Sequence, residues 1–529
     1  MIDWTLQPGP TRGPTGSFLL FVVLDGVGVG PSDTANALWL AKTPTLDRLR
    51  KEGLYTELKA HGTAVGLPSD ADMGNSEVGH NAIGAGRIFD QGAKRVAEAV
   101  QTGQIFEGQV WKDLIKTGSL HLIGLLSDGN VHSHESHLHA LLRQARAAGL
   151  KNVRVHVLLD GRDVDDPSAL LYVDRLETLL SELGEGYRIA SGGGRMVTTM
   201  DRYQADWSMV ERGWNAHVHS EARTFPSARA AIETYREESP GLSDQMIPPF
   251  VITPKTPMED GDGVIFFNFR GDRALEITQA FEDDDFSAFD RGQRPDVRYA
   301  GMLQYDGDAQ RPKHFLVAPP VIDRTLGEYL ARNRVSQWAC SETQKFGHMT
   351  YFWNGNRSEM FDPRYEHHHE IPSLPGPSNE HPEMKAWDIT RATIKAIRSG
   401  QYRFLRINYA NGDMVGHTGQ LDAAIRAVET MDECLAELLA VVQEQQGCLL
   451  VTADHGNCDE MIVRDKKTGV LTDRPSTRHS LAPVPLYLMG TPGSWSLREG
   501  GGLANLAATV TELLGYQAPV GYEPSLLIR

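Results

Sequence analysis

The stretch FLLFVVLDG, residues 18–26, is an apolar run that ends abruptly in an aspartate and a glycine. Five further apolar runs end in polar residues in the same way, at residues 120–126, 153–159, 264–269, 404–409 and 448–452. Continuous apolar runs separated by helical stretches are typical of strands buried in parallel sheets. The sequence therefore predicts an α/β protein with ligand-binding loops beyond the carboxyl ends of its strands.

Amphipathic segments between these runs predict helices, at residues 44–52, 135–148, 167–182 and 421–445. Their apolar residues recur at near-helical spacing, which favours a role in the core. Residues 371–382 are rich in proline and predict an exposed loop. The adjoining residues 366–370 hold three consecutive histidines and are assigned to the same solvated region, although such a triplet can also bind metal.

Composition argues against several classes of protein. Of the 529 residues, 69 are acidic and 52 are basic, and this net charge of −17 argues against nucleic acid as the main partner. An anionic small substrate is still possible where basic residues or metal ions gather locally. The four cysteines include no CxxC pair, which argues against a disulfide framework and against a thiolate zinc site.

The sequence also lacks the features of membrane insertion and secretion. No apolar run approaches the roughly 20 residues that span a bilayer. The first residues, MIDWTLQP, have neither the basic segment nor the apolar core of a signal peptide. We therefore expect no membrane partner and a cytoplasmic location.

Carboxylates and imidazoles form a set of candidate metal ligands: Asp25, Asp413, His417, Asp454, His455 and His479. The i,i+4 spacing of Asp413 and His417 places both side chains on one face of a helical turn. Oxygen and nitrogen donors without cysteine suit manganese, zinc, cobalt or magnesium. Taken alone, each fragment is more typical of a surface or capping pair than of a metal site.

The segment ADMGNSEVGH, residues 71–80, sets Ser76 among small residues and suits a nucleophile at an exposed turn. From these residues alone, a plain serine–glycine turn is an equal alternative. A serine hydroxyl needs activation, and this region offers no evident His/Asp triad. Coordination to a divalent cation would supply it by lowering the pKa of the hydroxyl.

Several motifs together carry a family resemblance. GNSEVGH at 74–80, NGDMVGH at 411–417 and TADHGN at 452–457 resemble the cofactor-independent phosphoglycerate mutases of the alkaline-phosphatase-like superfamily. The likeness extends along nearly the whole chain, through LDGRD at 159–163, FNFRGDR at 267–273 and SETQKFGH at 341–348. It implies a glycolytic enzyme that interconverts 3-phosphoglycerate and 2-phosphoglycerate through a phosphorylated Ser76, independently of 2,3-bisphosphoglycerate.

The resemblance also implies a centre with two metal ions. One ion would be held by Asp413, His417 and His479, and the other by Asp25, Asp454, His455 and Ser76. Lys345 would lie beside the serine and stabilise charge on the phosphoryl group. Manganese is the expected metal, with cobalt, zinc or magnesium as alternatives, and the chain is expected to be a monomer.

The position of these ligands along the chain predicts the domain organisation. Asp25 and His479 lie near opposite ends of the sequence but would meet at a centre whose ions are about 3.5–4 Å apart. We therefore expect an alkaline-phosphatase-like metal domain assembled from residues 1–88 and 320–529. Residues 89–319 would form a second, inserted α/β domain that binds substrate.

The inserted segment carries arginines near predicted strand ends: Arg162, Arg195, Arg202, Arg270 and Arg273. The planar guanidinium fork suits the phosphate and carboxylate of phosphoglycerate. The resemblance assigns these arginines to the substrate pocket, together with His132, Asp163 and Lys345. It makes Asp163 the candidate for proton transfer, and closure of the two domains would keep out water.

Two other functions are open at this stage. A phosphatase or a sugar-phosphate mutase of the same superfamily would share the metal ligands, but it would not carry the Arg162, Arg270 and Arg273 pattern. A non-catalytic metal-binding or scaffold protein would need neither Ser76 nor Lys345.

Overall fold

The computed structural model describes residues 3–9, 18–67, 69–202, 204–306, 309–318, 322–465, 468–491 and 494–529. Its contacts divide the chain into two compact units, which we call the first unit (Met1–Gln91 with Val321–Arg529) and the second unit (Gly92–Pro320). Among the described residues, no helix has the length and apolarity needed to cross a bilayer.

The strands, in chain order, are β1 (Leu19–Leu24), β2 (Leu54–Leu58), β3 (Leu120–Leu126), β4 (Val153–Leu159), β5 (Tyr187–Gly194), β6 (Arg223–Phe225), β7 (Phe250–Ile252), β8 (Gly263–Phe266), β9 (Arg298–Gly301), β10 (Gln337–Glu342), β11 (Glu366–Ile371), β12 (Phe404–Tyr409), β13 (Cys448–Thr452), β14 (Ile462–Arg464), β15 (Leu471–Pro475), β16 (Val484–Met489), β17 (Ser496–Leu497) and β18 (Leu527–Ile528).

The α-helices are α1 (Ala37–Leu40), α2 (Pro44–Glu52), α3 (Ser76–Ala85), α4 (Gly92–Gln101), α5 (Gln109–Leu114), α6 (Glu135–Ala147), α7 (Ala169–Leu183), α8 (Trp207–His217), α9 (Ala228–Glu238), α10 (Leu275–Glu282), α11 (Leu326–Arg332), α12 (Thr343–Gly347), α13 (Ala386–Arg398), α14 (Asn411–Gly416), α15 (Leu421–Glu444) and α16 (Leu506–Leu513).

The first unit is built on a seven-stranded sheet in the order β11-β10-β12-β1-β13-β16-β2. Strands β11, β10, β12, β1 and β13 are parallel, and β16 is antiparallel to both of its neighbours. Every residue of β1 is buried, which explains why this strand is apolar along its whole length. The carboxyl ends of β12, β1 and β13 therefore lie side by side.

The second unit has its own seven-stranded sheet, in the order β6-β7-β5-β4-β3-β8-β9. Its pairs are parallel except for β5 and β7. Strand β3 is buried throughout, and its neighbours β4 and β8 end at the same edge of the sheet. This edge carries the polar loops that follow β3, β4, β5 and β8.

The predicted α/β class is confirmed, and several predicted elements match the observed ones. Strands β3, β4, β12 and β13 and helix α2 have the predicted bounds. The run 264–269 is an exception, because β8 ends at Phe266. Phe267 and Phe269 are buried, but the Phe269 amide bonds to the His132 carbonyl of a loop. At residues 267–269 the apolar run therefore indicates burial and not a continuing strand.

The predicted loop at residues 366–370 is wrong. These residues form β11, which pairs in parallel with β10 at the edge of the first sheet. Glu366 is fully buried and bonds to the buried Arg406 guanidinium at 3.1 Å. Charged residues are common on edge strands, and here the buried ion pair anchors one of them.

Candidate functional site

The predicted metal ligands converge beside the carboxyl ends of β12, β1 and β13. Asp25 follows β1, Asp413 lies in α14 after β12, and Asp454 and His455 follow β13. Gly26 adopts a positive φ of 76°, and a Cβ at this position would lie 2.6 Å from the Asp413 backbone. The glycine therefore lets the end of β1 pack directly against α14.

Three ligand atoms form a first cluster: Asp413 Oδ1, His417 Nε2 and His479 Nε2. Asp413 Oδ1 lies 3.0 Å from His417 Nε2 and 3.2 Å from His479 Nε2, and the two imidazole nitrogens are 3.0 Å apart. Ligands held at 2.0–2.1 Å around a tetrahedral ion lie roughly 3.3 Å from one another. The spacing of this cluster is therefore close to that of a coordination shell.

Hydrogen bonds fix the tautomers of two of the histidines. His417 Nδ1 donates to the Thr477 carbonyl at 2.6 Å, and His455 Nδ1 donates to the Gly456 carbonyl at 3.2 Å. In the neutral form of each ring, which is the form that binds a metal, Nε2 carries the lone pair and faces the carboxylates. Metal-binding histidines are oriented in this way by their second nitrogen.

Ser76 lies beside a second group of ligands. Its Oγ atom is 3.2 Å from Asp25 Oδ1 and 3.0 Å from His455 Nε2. His455 Nε2 is in turn 3.6 Å from Asp454 Oδ2. Burial disfavours the charged form of His455, but the carboxylates of Asp454 and Asp25 outweigh this effect and raise its pKa to about 9. The surroundings of His455 therefore attract positive charge.

The prediction that Ser76 occupies an exposed turn is wrong. Ser76 is the first residue of helix α3 and is 3% exposed. The side chain of Asn75 caps this helix by accepting hydrogen bonds from the amides of Glu77 and Val78. The positive end of a helix dipole favours an anionic group. A phosphoryl group on Ser76 would lie at that end.

Lys345 is buried among the carboxylates. Its ammonium lies 2.6 Å from Asp25 Oδ1 and 2.7 Å from Asp413 Oδ2, and it also contacts the Ser76 hydroxyl. Burial raises the pKa of Asp413, but Lys345 and the histidines hold it well below its ordinary value. Three carboxylates (Asp25, Asp413 and Asp454) against one lysine leave a charge of −2 with the histidines neutral, and of −1 with His455 protonated. Uncompensated buried charge is costly, so this donor set suits divalent cations.

His80 is a residue that the sequence analysis missed. Its Nδ1 atom lies 2.8 Å from the Ser76 carbonyl and 3.3 Å from Asp454 Oδ2. A carbonyl can only accept, so Nδ1 carries the proton. His80 Nδ1 therefore donates to the Ser76 carbonyl and lies beside the Asp454 carboxylate. Its place four residues after Ser76, one helical turn further along the same face, is the signal that could have revealed it.

The predicted arginines come together in the second unit. Arg162, Arg195, Arg202, Arg270 and Arg273 are each at most 8% exposed. They follow the parallel strands β4, β5 and β8, whose carboxyl ends share one edge of the sheet. We call these five residues the arginine cluster.

Three carboxylates partly balance the arginine cluster. Arg195 bonds to Asp160 at 2.8 Å and also to Asp163, and Arg270 lies 3.0 Å from Asp272. Five guanidinium groups against these three carboxylates leave an excess charge of +2, which the buried Asp201 carboxylate near Arg273 reduces to +1. Asp160 and Asp272 were missed, although both lie inside the motifs at 159–163 and 267–273. The excess positive charge suits an anionic ligand.

His132 also lies beside this cluster. Its Nδ1 atom is 3.7 Å from Asp272 Oδ1. Burial, and then the charges of Arg195 and Arg270, hold the pKa of His132 well below its ordinary value. A neutral imidazole can donate to, or accept from, the hydroxyls of a ligand. Burial, followed by the nearby arginines, also lowers the pKa of Arg273.

Known proteins resemble the chain along almost its full length. The model of the Metalloenzyme superfamily matches residues 17–518. A probable 2,3-bisphosphoglycerate-independent phosphoglycerate mutase of Leptospira interrogans is 52% identical, over 96% of this chain and 97% of the relative. The mutase of that name from Trypanosoma brucei brucei is 51% identical, over 96% and 97% of the two chains.

One solved structure has nearly the same fold. It is the crystal structure of Leishmania mexicana phosphoglycerate mutase at low cobalt concentration, with a TM-score of 0.97 and 49% identity. The match covers 99% of this chain and 100% of the other.

Proposed function

The chain belongs to the Metalloenzyme superfamily and, within it, to the 2,3-bisphosphoglycerate-independent phosphoglycerate mutases, and from this we propose that it interconverts 3-phosphoglycerate and 2-phosphoglycerate. One observation carries the mechanism that we propose. The Ser76 hydroxyl lies within 3.2 Å of Asp25 and of His455 and contacts the Lys345 ammonium.

We assign two divalent ions to the first unit. Asp413, His417 and His479 would hold one, and Asp25, Asp454, His455 and Ser76 would hold the other. When bound, the ions supply positive charge that lowers the pKa of the serine hydroxyl and neutralises phosphoryl oxygens. Nitrogen and oxygen donors fit manganese, our proposed metal, and also cobalt, zinc and magnesium. A monomeric state, a cytoplasmic location and a role in glycolysis belong to the same proposal.

Ser76 takes the phosphoryl group in the first half of the reaction. The Ser76 hydroxyl loses its proton as its Oγ atom attacks phosphorus, the bond from phosphorus to the glycerate oxygen breaks, and that oxygen takes up one proton in exchange. Lys345 and the amino end of α3 stabilise the charge on the phosphoryl oxygens. The products of this half-reaction are phosphoserine and glycerate.

The arginine cluster holds glycerate between the two half-reactions. Guanidinium groups bind its carboxylate and orient the hydroxyls, and His132 contributes neutral hydrogen bonding. The other hydroxyl then attacks phosphoserine, loses its proton and restores the Ser76 hydroxyl. Asp163 is our candidate for moving this proton. The excess positive charge of the arginine cluster supports its assignment as the binding site for the glycerate carboxylate.

A direct assay tests this function. The metal-loaded protein is given 3-phosphoglycerate in the absence of 2,3-bisphosphoglycerate, and 2-phosphoglycerate is measured. We expect turnover by the wild type and none by Ser76→Ala. Ser208→Ala is the control, because Ser208 is an exposed serine on helix α8 of the other unit. Inorganic phosphate as the main product, or normal turnover by Ser76→Ala, would refute the proposal.

A further inference from the structure

A single file of hydrogen bonds crosses the sheet of the second unit. The chain of hydrogen bonds starts just before β8, passes through β3, β4 and β5, and ends at helix α8 and the loop after β5. Its members, in that order, are Asp262, His121, His156, Ser191, His217 and Thr199. The successive distances are 3.2, 2.9, 2.7, 2.7 and 2.9 Å. We call this set the histidine file. None of its members is in the motifs that carry the proposed chemistry.

Asp262, at one end of the histidine file, sets the donor-to-acceptor direction of its hydrogen bonds. Burial raises the pKa of Asp262, but hydrogen bonds, the first of them from His121, outweigh this and hold it below its ordinary value, so Asp262 is an anionic acceptor. His121 Nε2 therefore donates to Asp262, and in the neutral form of His121 the Nδ1 atom accepts from His156 Nε2. By the same logic, Ser191 donates to His156 Nδ1.

The hydrogen bonds keep the same donor-to-acceptor direction as far as Thr199. Having given its proton to His156, the Ser191 hydroxyl accepts from His217 Nδ1. His217 Nε2 then has only its lone pair, and Thr199 Oγ1 donates to it. His156 and His217 are neutral in this arrangement, and each of the three imidazoles makes both of its hydrogen bonds. Burial supports this, because it lowers the pKa of His156 well below its ordinary value and that of His217 to about 3.

Thr199 is held in a conformation that its side chain does not favour. Its φ is +70°, which is uncommon for a β-branched residue. Gly213 makes room for it, since a Cβ there would lie 1.9 Å from Thr199 Oγ1. The Thr199 amide also bonds to the Met209 carbonyl at 2.9 Å. The hydrogen bond to His217 is thus one of the contacts that hold this backbone in place.

The next residue connects Thr199 to the arginine cluster. The Met200 carbonyl accepts a hydrogen bond from Arg273 Nη1 at 2.6 Å, and Arg202 follows two residues later. A change in the backbone at Thr199 would move the carbonyl that orients Arg273. Both arginines carry the substrate-binding role proposed above.

We propose that Thr199 and His217 are positioning residues for Arg202 and Arg273, and that the histidine file, anchored at Asp262, keeps His217 in the tautomer that accepts from Thr199. This inference rests on the proposed function for its kinetic consequence. It assigns the file to substrate binding and not to chemistry on Ser76. The arginines bind the substrate in its ground state and in its transition state, so a disturbed loop affects KM more than kcat.

Thr199→Val tests the inference, because it removes the hydroxyl and keeps the shape. We expect KM for 3-phosphoglycerate to rise about tenfold, with kcat within about twofold of wild type. Thr199→Ser should restore KM. Thr198→Val is the matched control, since Thr198 is equally buried and its hydroxyl has no hydrogen-bond partner among the described residues. An unchanged KM in Thr199→Val, or an equal rise in Thr198→Val, would overturn the proposal.

Two measurements keep the inference separate from the proposed function. Calorimetry gives the Kd of 3-phosphoglycerate without turnover, and Thr199→Val should weaken binding about tenfold even if the wild type proves not to be a mutase. Nitrogen NMR of ¹⁵N-histidine-labelled protein should show His217 protonated on Nδ1, and His121 and His156 protonated on Nε2. A proton on His217 Nε2, or an unchanged Kd in Thr199→Val, would contradict the proposed role of the histidine file even if the protein is an active mutase.

Discussion

The Lys345 ammonium lies 2.7 Å from Asp413 Oδ2, and both side chains are buried. The same ammonium is 2.6 Å from Asp25 Oδ1 and contacts the Ser76 hydroxyl. One cation therefore serves two purposes: it offsets carboxylate charge, and it lies where a transferring phosphoryl group would develop charge. The first role predicts an effect on stability, and the second predicts an effect on kcat.

Replacing Lys345 by methionine keeps the length of the side chain and removes its charge. We expect kcat to fall about 10²–10³-fold, the loss typical of removing one group that stabilises transition-state charge. The metal-free variant should also lose about 3–5 kcal/mol of unfolding free energy, because buried carboxylates are left unpaired. Lys51→Met, at an exposed position of α2, is the control. A Lys345→Met variant with kcat within threefold of wild type would remove Lys345 from the mechanism.

Removing divalent metal should lower both activity and thermal stability. The buried carboxylates Asp25, Asp413 and Asp454 outnumber the cations around them, and ions that bind the folded state stabilise it. We expect a chelator to abolish turnover and lower Tm, and manganese to restore both. Calcium should restore much less, because it prefers oxygen ligands. Turnover that survives exhaustive chelation would rule out the metal centre.

Gly79 sets the position of helix α3. A Cβ at this residue would lie 2.6 Å from the Asp454 carbonyl oxygen. Gly79→Ala should therefore push α3 away from the end of β13 and displace Ser76 from Asp25 and His455. We expect a loss of about 1–3 kcal/mol in stability and of most of the kcat. Gly118→Ala is the control, since a Cβ there meets no atom within 4 Å. Equal behaviour of the two variants would show that the close packing is unimportant.

The pH dependence of stability should carry a contribution from Glu276. Burial raises the pKa of this glutamate to about 8, against an ordinary value of 4.5. The folded protein thus retains a proton that the unfolded chain loses, so the contribution of Glu276 to stability is most favourable below pH 4.5 and falls as the pH rises towards 8. At 1.36 kcal/mol per pKa unit, the loss amounts to roughly 5 kcal/mol.

Urea unfolding of Glu276→Gln checks this expectation, because the amide is neutral at every pH. The difference in unfolding free energy between wild type and variant should change between pH 4.5 and 8 and stay level above pH 8. Glu185→Gln, at an exposed position of the same unit, should leave the profile of the wild type unaltered. A pH-independent difference between wild type and Glu276→Gln would show that Glu276 is ionised in the folded protein.

The sequence predicted the elements whose signal is local. Continuous apolar runs marked β3, β4, β12 and β13 because these strands are buried on both faces. The same signal failed at residues 267–269, where burial continues after the strand ends. It also missed β11, an edge strand whose charged residues look like a loop unless the buried partner Arg406 is known.

The candidate site was reached through motifs, yet three residues inside those motifs were missed. His80, Asp160 and Asp272 act by contacts to other side chains, and such contacts depend on how distant strands align. The burial of Ser76 was also missed, because a serine among glycines is equally compatible with a turn and with the start of a helix. The histidine file was invisible for the same reason: His121, His156 and His217 meet only in the folded sheet.

The central claim is that Ser76 carries the phosphoryl group between the two hydroxyls of glycerate. Acid quenching of the metal-loaded enzyme during turnover of 3-phosphoglycerate, followed by peptide mass spectrometry, tests it most directly. We predict a phosphate on Ser76 in the wild type and none on that peptide in Ser76→Ala. Active enzyme whose quenched peptides carry the phosphate on another residue, with Ser76 unmodified, would contradict the account.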